Sequence, residues 1–122
     1  MTQEHLPRRF ETPNAVMHTY ASRELTGSEL AVWRVEMAPG SAGPDHVVDV
    51  EQVVVVLEGA LELLRGSSAE LLVAGDSVVL AAGEPRQLRC HGPASAVAMV
   101  STRSGARVTA EGKDDVALPW AA

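Results

Sequence analysis

Aromatic side chains make up only 3% of this sequence, one Phe, one Tyr and two Trp, so its core cannot be built on large rings. The packing must come from Val, Leu and Ala in a chain that is 46% hydrophobic. Branching at Cβ stiffens Val and favours pleated strands. Cys90 is the single cysteine, which excludes an internal disulfide. Positive charge is scarce as well: 10 Lys and Arg stand against 16 Asp and Glu, a net −6. Arg8-Arg9 is the only adjacent basic pair, so the clustered cations that neutralise nucleic-acid phosphates are missing. No apolar run approaches the roughly 20 residues that span a bilayer. The N-terminal segment also lacks the apolar core of a secretion signal. The expectation is a cytoplasmic protein that engages neither nucleic acid nor membrane, and 122 residues fit one domain.

Residues 1–14 are polar and hold Pro7 and Pro13; they read as a flexible or docking arm, which leaves 15–122 as the domain. Short extended segments follow at near-regular spacing. Residues 15–20 open the series, and in 30–37 Ala31, Trp33, Val35 and Met37 alternate with Arg34 and Glu36. A Gly- and Pro-rich loop covers 38–44. Residues 51–57 contain four consecutive valines, Val53 to Val56, a run expected to be buried on both faces. Segments 60–64, 69–73, 77–80, 86–90 and 94–102 complete the strands. Asp114-Asp115 reads as a solvated tail, and Trp120 as an anchor docking on the barrel or on a partner subunit. A helix over 51–64 would wrap the valines around more than half its circumference and hold Gly59 in mid-helix. The chain therefore reads as an all-β sandwich or barrel.

Two glycine-punctuated motifs sharpen this. Gly40, His46 and Gly59 fall at the spacings of G-x5-H-x-H-x3-E-x6-G, with Val48 in place of the second histidine and Gln52 in place of the glutamate. Gly75 and Gly83 fit G-x5-P-x-G-x2-H-x3-N, with Ala81, Arg86 and Cys90 replacing proline, histidine and asparagine. The stretch 40–90 thereby resembles the cupin superfamily. That resemblance implies a double-stranded β-helix, the jelly-roll barrel, often dimeric. In the family three histidines and a glutamate hold one divalent ion; here only His46 matches them.

Carrying over the family's register turns His46, Val48, Gln52, Arg86 and Cys90 toward the barrel interior. Arg86 is a permanent cation and repels a divalent ion, so no metal cofactor is expected. His46 and Arg86 are then the candidate catalytic pair, His46 as acid or base and Arg86 as an anion-binding fork. Gln52 joins them as a ligand-binding group, with Trp33, Met37, Val48, Val54, Leu88 and Cys90 lining the cavity. This suits a small-molecule-binding cupin, an isomerase or cyclase of secondary metabolism acting on an anionic or enolisable compound. Two alternatives stand beside it. A one-residue slip would turn Glu51, Gln87 and His91 inward, so that His46, Glu51 and His91 hold a divalent transition metal for a dioxygenase or isomerase. A non-catalytic sensor or structural cupin would have a shrunken cavity. Structural roles are weighed too: His46 bonded to backbone, Arg86 paired with Glu51, Glu84 or Asp49, Cys90 a small buried hydrophobe and His91 a turn residue. Leu30 and Val32, sharing a face with Arg34, point to a homodimer through the outer sheet face or the arm.

Overall fold

Alternation at period two, broken by glycine turns, sets the architecture. The computed structural model describes residues 6–122. Its elements are β1 (Arg8–Glu11), β2 (Val16–Ala21), α1 (Arg23–Thr26), β3 (Leu30–Met37), β4 (His46–Val48), β5 (Gln52–Glu58), β6 (Ala60–Arg65), β7 (Ser68–Val73), β8 (Ser77–Leu80), β9 (Gln87–His91), β10 (Ala96–Arg103), β11 (Arg107–Ala110) and β12 (Lys113–Ala117). A 3-10 turn, Pro119–Ala121, ends the chain. Among the described residues no helix is long and apolar enough to cross a membrane.

One layer is a six-stranded sheet in the order β1-β2-β3-β10-β5-β8. The facing layer comprises two three-stranded sheets, β12-β11-β4 and β7-β6-β9. Bridges Ala42↔Arg89 and His46↔Arg86 stitch those two together. Every named pairing is antiparallel, the jelly-roll arrangement expected from the motifs. Between the layers, Trp33 and Met37 of β3, Val54 and Val56 of β5, Leu61 and Leu63 of β6, and Val100 of β10 form one buried cluster. Trp120 closes one end: its ring meets Phe10 edge-on, centroids 6.3 Å apart, and its carbonyl accepts from Thr19 Oγ1 at 2.7 Å.

Four expectations are corrected. The barrel begins before residue 15, because Arg8–Glu11 pairs in register with β2 and sets Phe10 against Met17; only residues 1–5 of the arm lie outside the described residues. Asp114 and Asp115 are not a tail but part of β12, paired with β11 and tied by Arg107 Nε to Asp115 Oδ1 at 2.7 Å. Its residues are exposed throughout, as suits a charged edge strand, so no burial pattern marks it in sequence. His91 closes β9 rather than lying in a turn, and it is exposed. Finally, the valine run is buried on one face only: Val54 and Val56 are 1% and 0% exposed, but Val53 is 37% and Leu57 46% exposed.

Gly59 joins β5 to β6 at φ +70°, and a Cβ there would sit 2.4 Å from Ser95 O. Left-handed strain and a clash with backbone add, so Gly59→Ala is expected to lower the unfolding free energy by about 3 kcal/mol or more. Gly66→Ala, at φ +57° with nothing within 4 Å, meets the strain alone, about 1–2 kcal/mol. Urea unfolding of the two variants measures the difference.

Candidate functional site

The site is organised by the bridge between β4 and the segment entering β9. His46 N–H donates to Arg86 O at 2.9 Å and Arg86 N–H to His46 O at 3.0 Å. Directly opposed residues in an antiparallel pair project to the same side, so the two side chains are neighbours. Gln52 approaches from the facing sheet: it opens β5, opposite Leu80 and Thr102, and is 6% exposed.

Arg86 is 1% exposed, the largest of the fully buried side chains. Its Nη1 donates to Gln52 Oε1 at 3.3 Å and its Nη2 to Ala81 O at 2.8 Å. Among the described residues its Nε–H has no hydrogen-bond partner. None of the carboxylates considered in the sequence reaches it. Glu84 stands 3.5 Å from Arg65 Nη1, Asp49 Oδ1 accepts from Arg107 N–H, and Glu51 is exposed. Among the described residues no ion pair to Arg86 forms. Burial lowers its pKa, with the charge of Glu84 opposing, yet a guanidinium stays cationic at neutral pH. A buried, hydrogen-bonded but unpaired charge is destabilising by several kcal/mol, roughly, and an unsatisfied buried donor costs about 1–3 kcal/mol.

His46 is half-buried. Its Nδ1 lies 2.9 Å from Pro44 O, and a carbonyl only accepts, so Nδ1 carries the proton and Nε2 keeps its lone pair. Burial is the main cause of a lowered pKa, partly offset by the Pro44 bond and reinforced by the charge of Arg86. The imidazole is therefore neutral at physiological pH and competent as a proton acceptor.

The remaining predicted residues pack rather than line an open cup. Trp33, Met37, Val48, Val54 and Cys90 all belong to the buried cluster, and Leu88 packs against it. Side chains with so little accessible surface touch protein and not a void. Cys90 Sγ donates to Ala94 O at 3.3 Å. Two shallow hollows, about 460 and 430 Å³, lie elsewhere, one lined by Leu30, Glu51 and Arg103, the other by Arg9, Asn14 and His18.

The slipped metal constellation is not assembled. Glu51 and His91 are exposed while Gln52 and Arg86 are buried, which is the family register. Among the described residues no three His, Cys, Asp or Glu side chains converge as a metal site would require. At the family's four ligand positions stand His46, Val48, Gln52 and Arg86, and only the imidazole is a good donor to a transition metal. These residues do not fit the ion. Two contacts escaped the sequence reading, the Ala81 carbonyl under the guanidinium and the Pro44 carbonyl that fixes His46. Both are backbone atoms, which leave no residue-type signature.

The cupin domain family matches residues 33–102, more than half of the chain. No curated protein matches by sequence. Among solved structures, the polyketide cyclase RemF from Streptomyces resistomycificus superposes with a TM-score of 0.72 at 18% identity, covering 84% of this chain and 79% of that one. A sugar phosphate isomerase from Silicibacter pomeroyi gives 0.63 at 25%, covering 77% and 64%. An oxalate oxidase gives 0.66 at 24%, covering 76% of this chain. This chain spans about half of that oxidase, 53% of its length.

A histidine whose pKa is lowered on folding takes up its proton more readily in the unfolded chain. Stability attributable to His46 is therefore complete above its ordinary value of 6.5 and declines as pH falls below that, down to the folded pKa. His46→Gln is expected to flatten this part of the stability–pH curve. Urea midpoints between pH 7.5 and 5.5 for both proteins check it, an unchanged slope counting against the assignment.

Proposed function

This chain belongs to the cupin family, and from that premise we propose that its barrel binds a small anionic or enolisable metabolite and moves a proton on it without a metal. The observation that carries the proposal is the guanidinium of Arg86, buried, held by Gln52 Oε1 and Ala81 O, and left with an unpartnered Nε–H and no carboxylate. A carboxylate, enolate or phenolate oxygen supplies both the missing acceptor and the missing charge. His46, half-buried beside the fully buried Arg86, is the more exposed member of this pair.

In this scheme His46 Nε2 takes a proton from carbon beside a carbonyl. Negative charge then develops on the carbonyl oxygen, where Arg86 stabilises it in a site that excludes water. Returning the proton to a different carbon gives an isomerisation; attack of the enolate carbon on a second carbonyl, whose oxygen then takes the proton back from His46, gives a cyclisation. Gln52 keeps the guanidinium in place through both steps. The neighbours named as a polyketide cyclase and a sugar phosphate isomerase lend this pair of outcomes some support.

A second reading, a binding or structural cupin without catalysis, is favoured by the packing of Trp33, Met37 and Val54 into the core. Thermal-shift screening against aromatic acids, keto acids and acidic phenols, each beside its neutral ester or ether, separates the two. Ligands that bind only the native state raise the midpoint. The expected result is stabilisation by acids and not by their neutral counterparts, and stabilisation by none of them would favour the structural reading. Arg86→Met should weaken acid binding about 10- to 100-fold, the worth of one charge-assisted hydrogen bond. Its own stability should match or exceed the parent, because an apolar side chain of similar volume replaces an unpaired buried charge. Unchanged affinity in Arg86→Met would defeat the proposal.

A further inference from the structure

On the reading of Arg86 as an anion site, we propose that Arg65 is a positioning residue, which withholds Glu84 and keeps the buried guanidinium open to an acidic ligand. Among the described residues two buried side-chain atoms have no hydrogen-bond partner, Arg86 Nε and Glu84 Oε1. One is a donor on a cation, the other an acceptor on an anion. They lie two positions apart in sequence, and their turn ties both residues to one atom. The Ala81 carbonyl accepts from Glu84 N–H at 3.2 Å and from Arg86 Nη2 at 2.8 Å. Burial lowers the pKa of Arg86 and the charge of Glu84 opposes it, so the two groups sense each other across the turn. Such a pair ordinarily closes into a charge-assisted hydrogen bond that satisfies both atoms at once.

Arg65 prevents it. This arginine ends β6 and is itself fixed by a fork of Nε and Nη2 onto Glu70, at 2.8 and 3.2 Å. Its Nη1 donates to Val79 O at 3.4 Å and stands 3.5 Å from Glu84 Oε1. That contact attracts the carboxylate without giving Oε1 a hydrogen bond. Gly83 N–H donates to Val48 O at 2.9 Å and pins the turn to β4, so a change of partner needs only the Glu84 side chain to rotate. Two cations thus compete for one carboxylate. Turning inward costs Glu84 its remaining hydration, its side chain being 36% exposed. With Arg65 outside, the carboxylate keeps both a cation and water. Without Arg65, the cation left on its own turn is Arg86, where a lower dielectric strengthens the attraction.

The test uses the full chain and reads urea midpoints in the Arg65→Met background, where the lost Glu70 contact is common to every protein compared. Glu84→Gln should lower the midpoint of Arg65→Met, because it removes the new pair with Arg86. The same change in Arg65→Met/Arg86→Met should leave the midpoint unmoved, since no guanidinium remains to be paired. Equal effects of Glu84→Gln in the two backgrounds would overturn the proposal, whatever any ligand does. Benzoate, with methyl benzoate as the neutral control, then reads access to the cation by thermal shift. Arg65→Met should bind benzoate about tenfold more weakly than the parent, in proportion to the fraction of molecules whose Arg86 is already paired. Arg65→Met/Glu84→Gln should regain the parent's affinity, a repair that damage to the fold alone would not show. An affinity that Arg65→Met leaves unchanged would also overturn the proposal. The midpoint difference without any benzoate binding would support the withheld pair and count instead against Arg86 as an anion site.

Discussion

A guanidinium taken out of water and given no anion in return is the constraint around which this barrel is arranged. Arg86 is 1% exposed, and its two protein acceptors are an amide oxygen and a backbone carbonyl. Neither is charged. An arginine in the interior ordinarily survives by pairing with a carboxylate. The family's own glutamate position would have offered one, but Gln52 stands there. Exchange of that carboxylate for an amide and of the histidine for arginine replaces a removable ion with a cation built into the chain. The amide holds the guanidinium without cancelling its charge.

His46 follows from the same constraint. The backbone bridge to Arg86 fixes it beside the cation, and the Pro44 carbonyl fixes its tautomer. Burial and the neighbouring charge both disfavour the imidazolium. A permanent cation and a neutral imidazole thus sit side by side across that bridge. The proposed enolisation rests on this pair, with Arg86 as electrophile and His46 as base. The packed aliphatic interior holds the two groups in place.

The architecture could be read before the structure because it is written in turn glycines: Gly40, Gly59, Gly75 and Gly83 all adopt positive φ. Gly59 in addition lies too close to Ser95 for any side chain. Strands with one wet face were legible by alternation, as in β3. Elements without that contrast were not. β1 offers one aromatic among charged residues, and β12 is exposed on both sides. The four valines of β5 look the same to a sequence reader whether or not their outer face is covered. At the site, the inward set of His46, Gln52 and Arg86 followed from the family's spacing. What surrounds them did not, because the decisive partners are carbonyl oxygens of Pro44 and Ala81. Whether a carboxylate would reach Arg86 depended on where Glu84 and Asp49 point, and Arg65 and the Arg107 backbone hold them instead.

The most direct test is to observe the Arg86 Nε–H itself by ¹⁵N–¹H correlation spectroscopy, assigned by its loss in Arg86→Met. A buried, unpaired donor should exchange with solvent far more slowly than the Nε–H of surface arginines, and it should shift on addition of an acidic ligand but not of its neutral ester. Rapid exchange like that of the surface arginines, with no response to acids, would contradict a buried cation awaiting an anion.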